Sequence, residues 1–343
     1  MPDSGPHAAG RLPAAPTSAS KAEQRERQWP WHTATLVGLL AGGTFIGAVC
    51  GALVGGLASA ELQASTEASM SAIEWGAIGG GVGGAACVLF VAAAFAIHSG
   101  REDVRLVEAA SPLHPLLREL MVRAPGTYAH SVAVANLAES AAERIGADAL
   151  MVRVGAYYHD VGKIRRPCFF YENQAEGENP HETTKPKMST AIITSHVDDG
   201  LELAERYDLP ESVSEIISQH HGTSLVRYFF HKASQADAGV FEADFRYRGV
   251  KPQSAEAALV MLADASEAAV RALGDPDPER VEAVVRGVLA EKIADGQLDE
   301  CGLSEAEQDT VVNTFTRQLV AICHARCEYP SLDELRPGGA SPC

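Results

Sequence analysis

Charged side chains disappear from the chain twice, for 28 positions from Thr33 to Ala60 and for 23 from Trp75 to Ile97. A helix needs about 20 residues to cross a hydrocarbon core. The pattern therefore predicts two membrane-spanning helices, at about 34–58 and 75–97, joined by a short external loop. Leu36, Leu39, Phe45 and Ile46, then Val88, Leu89, Phe90 and Phe95, make both stretches too apolar for flexible linkers. Gly43, Gly47, Gly51 and Gly55 fall at four-residue steps, as do Gly80 and Gly84. Each span thus carries a smooth strip for close helix contact, which predicts a tight hairpin or a homodimer through the spans. Ala58-Ser59-Ala60 has the small-residue form of a signal-peptidase site, but the apolar region is long for a signal peptide and the second span would still hold the chain in the membrane.

After His98 the pattern changes. Apolar positions recur at three- and four-residue steps over 101–122, 128–145, 188–206, 211–219, 255–273, 278–293 and 305–323, while alternating runs are scarce. That predicts an all-α helical bundle. Breakers separate the stretches: Pro125-Gly126, the polar run from Asn173 to Pro186, the segment from Ala238 to Pro252, and Gly274-Asp275-Pro276. The first 31 residues, rich in Pro, Ala, Ser and charge, read as a disordered tail. The predicted organisation is a tail over 1–31, a membrane hairpin over 32–98, one soluble domain over 99–332 and a short tail over 333–343.

Charge sets the orientation. Arg11, Lys21, Arg25 and Arg27 precede the first span, Arg101 and Arg105 follow the second, and the loop between carries Glu61, Glu67 and Glu74 without Lys or Arg. Both termini should face the cytoplasm, in a multi-pass protein of the cytoplasmic (inner) membrane. Over all 343 residues, 28 basic against 45 acidic side chains give a net charge of -17. This argues against gripping polymeric nucleic acid through its phosphates, and leaves room for a small anionic ligand in a locally positive pocket. The seven cysteines show no repeated spacing, so they are not a disulfide scaffold. Cys323 and Cys327, with only His324 between them as a further soft ligand, fall short of a zinc site.

Of the 12 histidines, seven fall between His130 and His231. His159 and Asp160 form an adjacent pair at the end of the apolar run from Val152 to Tyr158, and His220 and His221 form a second pair at the end of an amphipathic stretch, followed by Gly222. Two such pairs at helix ends are arranged to point at one place. Two metal ions about 3.5–4 Å apart need one carboxylate that bridges them, plus nitrogen ligands on each side. Asp160 is the candidate bridge. His130 lies one turn into a helix for which Thr127 is a plausible N-cap, His196 sits in the apolar stretch from Ile192 to Val197, and Asp264 follows the apolar Leu259 to Ala263. A carboxylate in so apolar a run is costly unless paired or coordinated. Taken singly, His196 reads as a core histidine and Asp264 as a surface carboxylate; taken together, the set points to metal ligation. His7, His32, His98, His114 and His324 have no such context.

These residues carry a resemblance. Ala124-Pro125-Gly126-Thr127-Tyr128, the run Gly155 to Lys163, Glu172-Asn173-Gln174, Asn179-Pro180-His181, Ser195-His196-Val197, Gln219 to Thr223, Phe245-Arg246-Tyr247, Lys251-Pro252-Gln253, Met261 to Asp264, Asp295 to Cys301 and Glu328-Tyr329-Pro330 occur in order. From His114 to the C-terminal region the chain resembles the cytoplasmic domain of the seven-transmembrane HD (PgpH-type) cyclic-di-AMP phosphodiesterases. The resemblance implies an HD-domain bundle behind a shortened two-span membrane region. It implies two divalent metal ions, iron or manganese, one held by His130, His159, Asp160 and Asp264 and the other by Asp160, His196, His220 and His221. Cyclic-di-AMP is the implied substrate and linear pApA the implied product, with Asp160 as the bridging catalytic residue.

Five neutral imidazoles and two carboxylates leave two divalent ions partly uncompensated, which suits a phosphodiester. Lys163 is read as a phosphate contact or a partner of the site, with an exposed helix-end lysine as the rival reading. His181 would assist the leaving oxygen or cap a loop. Asn173, Arg165 and Arg166 are weaker candidates for base or phosphate contacts. Tyr247-Arg248-Gly249 departs from the family's Tyr-Pro-Gly, which loosens a loop but removes no ligand. The rival functions are an HD phosphohydrolase acting on cyclic-di-GMP or a nucleotide, and a nucleotide-binding membrane receptor. The lack of a Gly-Tyr-Pro element after His221 weighs against cyclic-di-GMP, and the complete ligand set weighs against a silent receptor.

Overall fold

The computed structural model describes residues 82–87, 89–90, 93, 102–174, 179–237, 239–273 and 276–324. The predicted tails, the first predicted span, the loop after it, and the side chains of Cys323, His324 and Cys327 lie outside the described residues; so does most of the second span. No helix among the described residues is long and apolar enough to cross a membrane. The chain divides into two compact units, Met1–Ser99 and Gly100–Cys343, and the candidate chemistry lies in the second.

The second unit is all-α. A helical segment over 102–109 is followed by α1 (Pro115–Arg123), α2 (Pro125–Ile145), α3 (Ala149–Tyr158), α4 (Pro186–Arg206), α5 (Glu211–Gln219), α6 (Arg227–Ala236), α7 (Ala255–Arg271), α8 (Pro278–Ala294) and α9 (Glu305–His324). Among the described residues the one strand-like feature is an isolated antiparallel bridge between Leu225 and Arg246. Two departures from the periodicity stand out. The stretch 101–122 is broken over 110–114, where Pro112 and Pro115 lack the N–H groups a continuous helix would use. Helices α3 and α6 fall outside the seven periodic stretches; α3 is apolar on nearly every face.

Local chemistry sets several boundaries. Asp148, Ser254 and Asp277 accept hydrogen bonds from the backbone N–H groups of Met151, Ala257 and Arg280, capping α3, α7 and α8. Gly146 closes α2 with φ 80°, in the left-handed region. The start of α2 corrects an expectation: Thr127 is a buried residue inside the helix, not its cap. The cap comes from far along the chain, where Asn173 Oδ1 accepts from Gly126 N at 2.9 Å and Thr127 N at 3.2 Å.

Two hydrophobic clusters form the interior. One joins α2, α7, α8 and α9 with Val152, Ala156 and Ile216. The other joins 102–109, α1 and α4 with Val154, Tyr158, Val213 and Ile217. Helices α3 and α5 therefore bury one face in each cluster, and each ends in a chemical pair: His159-Asp160 after α3, His220-His221 after α5. Helices clamped on two faces hold their C-terminal ends rigidly, which a site of several converging ligands requires.

Candidate metal centre

The seven residues expected to ligate metal converge on the seam between the two cores. They form two overlapping groups, Asp160 with His196, His220 and His221, and His130 with His159, Asp160 and Asp264, in each of which the ligand atoms lie within 4.8 Å of one another. Asp160 belongs to both. Its Oδ1 lies 3.2 Å from His196 Nε2 and 3.8 Å from His220 Nε2, while its Oδ2 lies 3.2 Å from His159 Nε2 and 3.8 Å from His130 Nε2. One oxygen faces each group, as a bridging carboxylate would. Asp264 Oδ1 lies 3.0 Å from His130 Nε2, and its Oδ2 lies 3.9 Å from His221 Nδ1.

The outer nitrogens fix the tautomers. The Nδ1–H groups of His159, His196 and His220 donate to the carbonyls of Ala156, Ile193 and Ile217 at 2.7, 2.6 and 2.8 Å. Each is the carbonyl three residues back along the same turn. Every one of these imidazoles therefore turns an Nε2 lone pair inward. His196 Nε2 and His220 Nε2 face each other across 3.3 Å, and His159 Nε2 and Asp160 Oδ1 are buried with no hydrogen-bond partner. Burial lowers His196, His220 and His221, with His220 at about 3, so protons do not relieve the facing lone pairs. Inward lone pairs without donors fit bound cations, and a set of N and O donors without thiolate fits divalent metal ions.

Carboxylates and cations balance the rest. Burial opposes the charge of Asp160, yet Lys163 and the surrounding imidazoles hold its carboxyl well below the usual range. Lys163 Nζ lies 2.6 Å from Asp160 and 3.0 Å from Glu172. Burial works against its charge as well, but the two carboxylates raise it, so it stays protonated. Burial works against charge on His130 too, while hydrogen bonds to Asp264 and Glu267 raise it to about 9.

The other candidates are engaged elsewhere. His181 belongs to neither ligand group; its Nε2 donates to the Phe169 carbonyl at 2.8 Å and its ring packs on Phe169 and Phe229, which corresponds to the loop-fixing alternative. Arg165 and Arg166 pair with Glu202 and Asp199 on α4. Asn173 caps α2. The sequence reading missed three contributors: Glu172, Glu267, and Tyr247, whose ring stacks on His221 with centroids 4.2 Å apart. Glu267 lies three residues after Asp264 on the same helix face, a spacing that could have found it. Glu172 and Tyr247 reach the site only through tertiary contacts.

Comparisons with known proteins agree on the domain. Residues 127–269 match the HD domain family. Cyclic-di-AMP phosphodiesterase PgpH of Bacillus subtilis (strain 168) is 49% identical over 227 residues, which are 66% of this chain and 32% of that protein. The protein of the same name from Listeria monocytogenes serotype 1/2a (strain 10403S) is 45% identical over 226 residues, again 66% of this chain and 32% of that protein. The crystal structure of the L. monocytogenes PgpH HD domain in complex with cyclic-di-AMP is matched with a TM-score of 0.61 at 43% identity, over 62% of this chain and 99% of that one. The chain spans about a third of the length of the curated relatives it matches.

Proposed function

The chain belongs to the HD-domain family, and from that premise we propose that it is a two-metal phosphodiesterase that opens cyclic-di-AMP to linear pApA. The observation that carries the reading is the pair of imidazole nitrogens, His196 Nε2 and His220 Nε2, facing each other at 3.3 Å beside the partnerless Asp160 Oδ1. Iron or manganese, bound in the two overlapping groups, would supply an activated water and neutralise phosphoryl charge for in-line attack.

The chain's own residues do the rest. Asp160 offers one oxygen to each ligand group and so fixes their separation. Lys163, held protonated between Asp160 and Glu172, is a fixed positive charge beside the bridge, placed to counter charge gathering on the phosphoryl oxygens. Hydrolysis breaks one phosphorus–oxygen bond of the ring: hydroxide from water joins phosphorus and a proton joins the departing ribose oxygen. His181, tied to the Phe169 carbonyl, serves to hold the turn at Phe169 rather than to deliver that proton.

The two charge-free stretches, with basic residues outside them and none in the loop between, support this domain lying on the cytoplasmic side of the inner membrane, and the glycine strips support a homodimer as the expected assembly. The test uses the full-length chain in detergent, loaded without oxygen with Fe2+ or Mn2+ and given cyclic-di-AMP, cyclic-di-GMP and nucleoside triphosphates. Selective formation of pApA, lost in Asp160→Ala, is the expected result. Equal turnover of cyclic-di-GMP, or no turnover of any substrate, would overturn the proposal.

A further inference from the structure

The ligand groups differ in what stands behind their imidazoles. His159, His196 and His220 each lean on a neutral backbone carbonyl. His130 instead has Nδ1 at 2.7 Å from Glu267 Oε2, with the two side chains only 3% and 13% exposed. Glu267 is itself held by Arg271 Nη2 at 2.7 Å. The guanidinium also approaches His130 Nδ1 at 3.2 Å. It can only donate, so with Nε2 turned inward as a ligand, the Nδ1 proton must go to Glu267. A carboxylate acceptor in a buried setting makes the imidazole a stronger donor to a cation than a carbonyl does. The charge count points the same way: the His130 group contains both Asp160 and Asp264, whereas the His196 group contains Asp160 as its one carboxylate.

We infer that the two metal positions are inequivalent, and that Glu267, steadied by Arg271, is the positioning residue that makes the His130 side the tighter of the two. This rests on the two-metal reading of the site. Removing an outer partner of a ligating histidine typically costs about 10–100-fold in metal affinity. Glu267→Gln keeps the size of the side chain and removes the charge, so it should weaken one ion and leave the other nearly unmoved.

The test strips the full-length chain with chelator and titrates it with Mn2+ alone, following bound ion by competition and by the electron paramagnetic resonance of the Mn2+. Wild type should fill in two resolved steps. In Glu267→Gln the tighter step should weaken by about 10–100-fold with the second step and the helical circular dichroism unchanged, and Glu267→Asp should recover part of the loss. Two ions bound with one affinity in wild type would overturn the inference while leaving the two-metal reading standing. Equal weakening of both steps in Glu267→Gln, or of neither, would overturn it too. Uptake of one ion or none would sink both readings together. The wild-type titration keeps the inference testable if the variants fail to fold.

Discussion

At the scale of single residues, the centre depends on side chains that belong to neither ligand group. Thr127, Asn173, Glu172 and Lys163 form one relay. Asn173 Nδ2 donates to Thr127 Oγ1 at 2.8 Å, Thr127 Oγ1 donates to Glu172 Oε1 at 2.9 Å, and Lys163 Nζ donates to the same oxygen at 3.0 Å. Glu172→Ala would leave a buried hydroxyl without its acceptor and a buried ammonium with Asp160 alone. Hydrogen bonds to charged groups are worth about 1.5–3 kcal/mol, so unfolding in urea should show a loss of that size at unchanged slope. Glu172→Gln, which keeps an acceptor for Thr127, should lose less. The members of the two groups were legible because paired His-Asp and His-His at the ends of apolar runs are unusual and demand an explanation. Glutamates are common: Glu267 carries only its three-residue spacing from Asp264 as a mark, and the role of Glu172 shows only when the fold brings it to Lys163.

At the scale of elements, the close approach of the turn after α3 to helix α4 is what brings Asp160 to His196. The short 3-10 helix Val161–Arg165 crosses α4 at Gly162, where a Cβ atom would lie 1.9 Å from the His196 carbonyl oxygen and 2.5 Å from Gly200 N. Both obstacles are backbone, so neither can swing aside. Gly162→Ala should therefore push the turn away from α4 and widen the gap between Asp160 and His196. Overpacking of this kind costs about 1–3 kcal/mol. Thermal unfolding should report that loss, and Mn2+ uptake should fall more than stability does, because the shift acts directly on the shared ligand. Most of the helices could be read from periodicity: 211–219 matches α5 throughout, and 278–293 ends one residue short of α8. The short helical turns between Val161 and Asn173 could not, since their geometry comes from packing against α4 and from Asn173 reaching back to α2, contacts that a local pattern does not contain.

At the scale of the whole molecule, a net charge of -17 coexists with a centre proposed to act on a phosphodiester. Four of the surface cations do not form a free track for a polymer: Arg165, Arg166, Lys187 and Arg246 pair with Glu202, Asp199, Asp244 and Asp295 at 2.7 to 2.9 Å, while the exposed Arg248 lines the cavity beside His221 and Tyr247. Attraction would then be short-ranged, from bound cations, from Arg248 at the cavity and from the buried Lys163, whose charge mobile ions screen poorly. Salt distinguishes this arrangement from a nucleic-acid grip. A protein holding six to ten phosphates of a duplex loses roughly 10³–10⁵ in affinity between 50 and 200 mM salt, whereas two phosphates at the same slope per contact change it by roughly ten-fold at most. The KM for cyclic-di-AMP, measured on the metal-loaded full-length chain over that range, should rise by no more than roughly ten-fold. Single-stranded RNA should be a poor substrate throughout, because the acidic surface repels a polymer that extends beyond the pocket. A KM that climbs a thousand-fold, or RNA cleaved as readily as the dinucleotide at low salt, would mean that the paired arginines release their carboxylates to hold a longer ligand.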